Sequence, residues 1–167
     1  MSASTLEAEM DDAGEATAPA ARQSATFLTF KLAGELFAIA VTSVNEIIDV
    51  IATTPVPGAD PFAPALINVR GAVAPLVDVR ERLRMPSGDM DGEARIIVLE
   101  LPIAGESTRL GLLAEGVESV RDVALDLVDT MPELGARWPA EFIDGVAKLG
   151  DDLVILLNVE TLFSPTV

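Results

Sequence analysis

Leu66-Ile67-Asn68-Val69-Arg70-Gly71-Ala72-Val73-Ala74-Pro75-Leu76-Val77-Asp78-Val79-Arg80 reads as two β-forming runs joined at Gly71 and closed by an acidic residue. Apolar, β-branched runs on either side of a glycine predict a tight hairpin. Pro75 has no N–H to give to a ladder, so the second run is expected at a sheet edge or a bulge. Asp78 stands where an N-cap is needed and predicts a short helix over Val79 to Leu83. The same grammar returns near the end of the chain. Phe142 to Leu149, a Gly150-Asp151 turn and Leu153 to Leu157 lead into Asn158-Val159 and a last short helix ending near Phe163. Leu76-Val77-Asp78-Val79 is answered by Leu156-Leu157-Asn158-Val159, with an Asx cap at the same place.

Upstream of the first hairpin, Leu28, Phe30 and Leu32 alternate with Thr29 and Lys31, the period-two pattern of a half-buried strand. A turn at Gly34-Glu35 and the run Leu36 to Val41 make a hairpin, and Thr42 and Ser43 can cap one helical turn. Val44, Ile47, Ile48, Val50 and Ile51 continue as a strand, which ends in a loop from Thr53 to Ala65. Pro55, Pro57, Pro61 and Pro64 exclude a helix from that loop. After a linker from Met85 to Gly92 the order repeats. Arg95 to Leu101, a turn at Gly105 to Ser107 and Arg109 to Ala114 come first, and Val117-Glu118-Ser119-Val120 stands where Val44-Asn45-Glu46-Ile47 stood. Repetition of this kind predicts a duplicated unit. Short strands usually hide their edges by closing, so the expected fold class is all-β, with two small barrels of about five strands each. The first is expected over about residues 26–90 and the second over about 91–167, with room for strand exchange between them, after an acidic tail over 1–25 read as disordered and cytoplasmic.

Of 167 residues half are hydrophobic, enough for a real core in one domain or two small ones. The formal charge of -16 opposes nucleic acid and anionic lipid, and no apolar run is long enough to cross a bilayer. The charge is uneven: -4 in the tail, -2 over residues 26–90 and -10 over residues 91–167, so the second unit is the better home for a basic partner. Cysteine, histidine and tyrosine are absent, which removes disulfides, thiolate metal sites and most acid-base chemistry. Asp129-Thr130 is followed by Met131 and not by the glycine of an aspartic peptidase signature. Asp89, Asp91, Glu93 and Glu100 imitate a calcium loop, but Gly92 is misplaced and a strand follows where an exit helix is required. No enzyme activity, cofactor or metal is expected. Trp138, the only tryptophan, stands among prolines and is expected to plug the core.

The run from Phe27 to Phe30, Gly34 to Val41, Val44-Asn45-Glu46-Ile47, the proline loop, Ile67 to Gly71 and Val73 to Arg80 resembles the first half of CheW-like chemotaxis coupling proteins in order and spacing. Arg95 to Glu100, Gly111 to Val120, Phe142 to Ala147 and Leu153 to Leu162 resemble the second half, so the likeness covers nearly everything after the tail. Ala65 stands where the family often has a small glycine. The resemblance implies two five-stranded Src-homology-3-like β-barrels packed side by side, and a non-catalytic adaptor. Its implied partners are the regulatory domain of a CheA-type histidine kinase and the signalling tip of a methyl-accepting chemoreceptor. By position, Val44, Glu46, Ile47 and Arg70, with Val117 and Val120 from the second half, would form the receptor-binding groove.

Read without the family, Arg70 is half of a surface ion pair worth ~0 to 1 kcal/mol. An expected pairing of Glu46 with Arg70 across the junction of the barrels would fix the groove's shape and polarity. Asp78 and Asn158 are expected to be structural helix caps. Two other functions stay open at this point: a scaffold of a non-flagellar chemosensory pathway, and a duplicated barrel that binds a small ligand or hydrolyses one with carboxylates.

Overall fold

The computed structural model describes residues 23–86, 91–130 and 138–164. Residues 1–22 of the tail and part of the Met85–Gly92 linker, with Asp89, lie outside the described residues, while Ser24 and Ala25, expected in the tail, already belong to the first strand. In chain order the strands are β1 (Ser24–Leu32), β2 (Glu35–Ala40), β3 (Val44–Asp49), β4 (Thr54–Pro55), β5 (Ala65–Val69), β6 (Ala72–Val77), β7 (Arg95–Ile103), β8 (Glu106–Ala114), β9 (Gly116–Ala124), β10 (Ile143–Leu149) and β11 (Asp152–Leu157). One short helix, α1 (Val159–Leu162), follows β11.

The strands form two sheets, ordered β10-β11-β2-β1-β9 and β3-β7-β8-β6-β5-β4. The hairpin β1-β2 from the start of the chain pairs with β9 and β11, and the hairpin β7-β8 inserts between β3 and β6. Each half of the sequence therefore lends its first hairpin to the sheet of the other. The exchange is symmetric: β11 meets β2 in parallel at Val154 to Leu156, and β6 meets β8 in parallel at Leu76 and Val77. A cut near residue 90 separates the sequence repeats without separating the sheets. The larger sheet has six strands because the proline loop adds the two-residue β4.

Burial explains why the strands read as they do. Leu28, Phe30 and Leu32 of β1 and Phe37 and Ile39 of β2 meet Ile97, Leu99, Leu101, Leu110 and Leu112 of β7 and β8 in the main core. The two exchanged hairpins thus form the seam between the sheets. The other face of β7, through Ile96 and Val98, packs with Ala65, Ile67, Val69, Ala74 and Leu76 inside the six-stranded sheet. Ala38, Val154 and Leu156 do the same inside the five-stranded sheet. Burial on both faces is the reason Ile96-Ile97-Val98-Leu99 and Val154-Ile155-Leu156-Leu157 are unbroken apolar runs. Trp138 meets Phe37 edge to face at 5.5 Å and closes one flank of the main core.

Local chemistry sets the turns. The hairpin expected to turn at Gly34-Glu35 turns one residue earlier, at Ala33-Gly34, with φ of +50° and +81°. Arg70-Gly71 repeats this at +53° and +84°, the two left-handed residues of a tight turn that matches strand twist. Pro75 does not lie on an edge, because β6 is flanked by β5 and β8. It is tolerated because the ladder to β8 covers only Leu76 and Val77, beyond the missing N–H.

The segment after Asp78 is a set of turns and not a regular helix. Leu83 N–H bonds Val79 O, then Arg84 at φ +59° ends the turn as Met85 N–H bonds back to Arg80 O. A left-handed residue with that six-to-one bond is a helix stop, so a single turn is all that forms. Asp78 Oδ1 accepts the Arg80 N–H at 3.1 Å, and Asn158 Oδ1 accepts the Thr161 N–H at 3.1 Å at the start of α1.

Candidate partner-binding groove

Strands β3 and β9 occupy equivalent ends of the two sheets, and each carries a bulge near its start. In β3 the register shifts between Val44 and Glu46, opposite Leu99 and Val98. In the β1-β9 pair the shift falls opposite Thr29 and Phe30, so that Glu118 is the extra residue between Val117 and Ser119. A strand without a bulge would point residues three apart to opposite faces. The bulge resets this. Val44 and Ile47 pair with Leu99 and Ile97, both members of the main core. Val117 and Val120 pair with Phe30 and Leu28, also of the main core. All four therefore face the seam. Val44 and Val117 pack on the core, while Ile47 and Val120 stay 42 % and 58 % exposed.

The extra residue of each bulge turns its side chain to a polar neighbour. Asn45 Nδ2 donates to Glu100 at 3.4 Å, and Glu118 forms an ion pair with Lys31 at 3.1 Å. Ile47 and Val117 then line one cavity of about 290 Å³ together with Lys31, Glu93, Arg95, Gly116 and Glu118. Lys31 is raised above the ordinary lysine range, first by its hydrogen bond to Glu118. These rim charges were not among the sequence-derived groove residues. The signal for them was the odd three-residue spacing of the apolar positions, which requires a bulge and therefore an extra residue turned aside.

Glu46 and Arg70 do meet, in a two-pronged contact: Arg70 Nε and one terminal nitrogen each donate to a Glu46 carboxylate oxygen at 2.9 Å. The pair is not across the junction. Glu46 lies opposite Val98, on the inner face of the six-stranded sheet, and Arg70 sits in the β5-β6 turn of that same sheet. The contact ties the β3 end of the sheet to its β5-β6 end, behind the apolar strip and not within it. The Arg70 side chain is 76 % exposed and that of Glu46 19 %, so it is a rim contact. Arg70 lowers the Glu46 carboxyl below the usual carboxylate range, first by hydrogen bonding.

Two equivalent end strands, each bulged so as to present two aliphatic side chains to a common seam, thus form one apolar strip with charged side chains beside it. The CheW-like domain model matches residues 26–166. The chain belongs to the CheW-like domain family. Among curated CheW-like relatives, the chemotaxis protein CheW of Bacillus subtilis is 33 % identical over 81 % of this chain and 84 % of its own length. The probable chemotaxis protein CheW of Rhizobium etli is 27 % identical over 83 % of this chain and 87 % of its own. In the solved structures, the scaffolding protein TtCheW of Thermoanaerobacter tengcongensis superposes with a TM-score of 0.75, covering 91 % of this chain and 96 % of that one at 24 % identity. The likeness to TtCheW is one of fold and accounts for the two sheets. Among the described residues no helix is long and apolar enough to cross a membrane.

Proposed function

We propose that this chain is a non-catalytic adaptor that couples the signalling tip of a methyl-accepting chemoreceptor to the regulatory domain of a CheA-type histidine kinase, and that its curled sheets are Src-homology-3-like barrels. The observation that carries the reading is the seam-facing strip of Val44, Ile47, Val117 and Val120, brought to one side by paired bulges. A helical hairpin tip can lay apolar side chains against such a strip, with the Lys31, Glu118, Glu93 and Arg95 charges at its rim setting orientation. The barrel reading is supported by the way each sheet's end strand is carried back. After residues 50–53, β3 continues into β4, which pairs with β5, and beyond β9 an isolated bridge joins Asp129 to Val146 of β10.

A duplicated barrel built around a small ligand is disfavoured by the packing of the seam, which Phe30, Phe37, Ile97, Leu99 and Leu112 fill without exposure. The decisive measurement is kinase autophosphorylation reconstituted with receptor, with and without this protein. Receptor control of the kinase should appear only when the protein is present, and Ile47→Asp with Val120→Asp should abolish receptor binding while leaving the fold intact. If kinase activity under receptor control is the same without the protein, the adaptor reading falls. The charge exchange Glu46→Arg with Arg70→Glu should bind receptor better than either single change; a double variant no better than both singles removes the pair from the mechanism.

A further inference from the structure

The chain passes between the sheets twice, from β2 to β3 through the turn Val41–Ser43 and from β8 to β9 through Glu115 alone. The sequence repeat makes the two crossings equivalent, and each delivers a strip residue, Val44 after the first and Val117 after the second. They are held in different ways. The Glu115 N–H donates to Lys31 O at 2.9 Å, and Glu115 Oε2 accepts the Ala33 N–H at 2.7 Å, tying the corner to the β1-β2 hairpin of the sheet it enters. The same oxygen faces an Arg80 terminal nitrogen at 3.6 Å. Arg80 is only 4 % exposed, and its Nε and other terminal nitrogen donate to Asp78 Oδ1 and Oδ2 at 2.9 and 2.8 Å. Asp78 follows β6 in the sheet that the chain is leaving.

A guanidinium this buried is stable only with its charge paired and its donors bonded; Asp78 supplies the bidentate pairing and Glu115 a longer contact, so the held cation links the corner to the sheet that the chain is leaving. That makes the corner stiff. The other crossing has no side-chain cap bond and no buried residue; its last bond is the Val44 N–H to Val41 O. The position that repeats Arg80 is Glu160, so the buried cation occurs in one half only.

We propose that Arg80 and Glu115 are positioning residues that fix the β9 wall of the groove relative to both sheets, while the β3 wall turns about Val41–Ser43. An occupant of the groove is then accommodated by movement of Val44 and Ile47 against a stationary Val117 and Val120. The asymmetry is a property of the free chain and does not depend on what the groove binds.

Amide hydrogen exchange on the full chain, read residue by residue, tests this directly. In the unaltered protein the Glu115 and Ala33 amides should exchange at least about tenfold more slowly than the Val44 amide. Glu115→Ala should speed exchange at Ala33 and Gly116 by about tenfold or more and leave Val44 to Ile48 within about twofold. Glu115→Gln, which keeps an acceptor for Ala33 without the charge, should fall between; Arg80→Met should loosen the same corner and Arg80→Lys should restore part of the protection. Equal exchange at Glu115 and Val44 in the unaltered chain overturns the proposal. So does a rise in Glu115→Ala that is the same along β3 as along the start of β9, since that is a general loss of stability. If Glu115→Ala fails to fold, Glu115→Gln decides: unchanged Ala33 and Gly116 exchange together with an unchanged urea midpoint overturns the assignment.

Discussion

Arg70 reaches Glu46 from a left-handed turn position, φ +53°, so the backbone chooses the direction of the guanidinium before any charge is felt. The contact is exposed, and its worth lies in geometry more than in stability. Because Arg70 lowers the Glu46 carboxyl below its ordinary range, the folded state holds that proton less tightly than the unfolded chain does. Its contribution is therefore fully present above the unfolded carboxyl range and disappears as pH falls through the lowered folded value. A carboxyl-carbon NMR titration should give Glu46 a lower midpoint than the same residue shows in Arg70→Ala; coincident midpoints would dissolve the pairing in solution. Asn158 is a firmer local case. Its Oδ1 caps α1 through the Thr161 N–H, so Asn158→Ala should cost about 0.5 to 2 kcal/mol in urea denaturation, and Asn158→Ser should recover most of it. Both residues could be singled out from sequence, the first by likeness to a family and the second by its place before a short apolar run. The partner of Glu46 was expected on the right residue but in the wrong place, because which face of β3 carries Glu46 depends on a bulge.

That bulge is the clearest instance of an element whose existence was legible and whose orientation was not. Val44-Asn45-Glu46-Ile47 and Val117-Glu118-Ser119-Val120 match in the sequence, but strict alternation would split each valine from the apolar residue three places on. One extra residue per strand restores them to a common face. A second element-level constraint sits where β10 meets the segment beyond β9. A Cβ on Gly145 would overlap Val128 Cγ1 and lie 2.8 Å from the Asp129 carbonyl oxygen, and Asp129 is bridged to Val146 by backbone bonds. On Gly111 the added atom would meet side chains and not backbone, Ile67 Cδ1 and Ile96 Cγ2 at 2.7 and 2.9 Å, the second a stiff branch of a fully buried residue. Both changes should therefore lower stability by about 1 to 3 kcal/mol, Gly145→Ala the more because one of its close contacts is backbone. Chemical denaturation of the two variants checks the order, and a reversed order would mean that the β10 junction is soft.

Because each sheet contains strands from both halves, neither half can complete its hydrogen-bond ladders alone. Residues 1–88 and 89–167 made as separate fragments should each lack cooperative unfolding, and mixing them should restore β-sheet circular dichroism and the fluorescence of a partly buried Trp138 against Phe37. A fragment that folds alone would show that the exchanged hairpin can return to its own half. In the intact chain the shared seam predicts one transition, with Trp138 emission and far-ultraviolet signal changing together. The all-β class, the hairpins, the Asx positions and the duplication were all written in local patterns of apolar spacing, glycine and proline, since turn geometry and strand alternation depend on near neighbours. Which hairpin joins which sheet, how Pro75 is accommodated and where the groove's rim charges lie were settled by pairing between distant strands. The two halves have matching edges, so swapped and unswapped pairings satisfy the same local rules, and the choice between them falls to the packing of the seam.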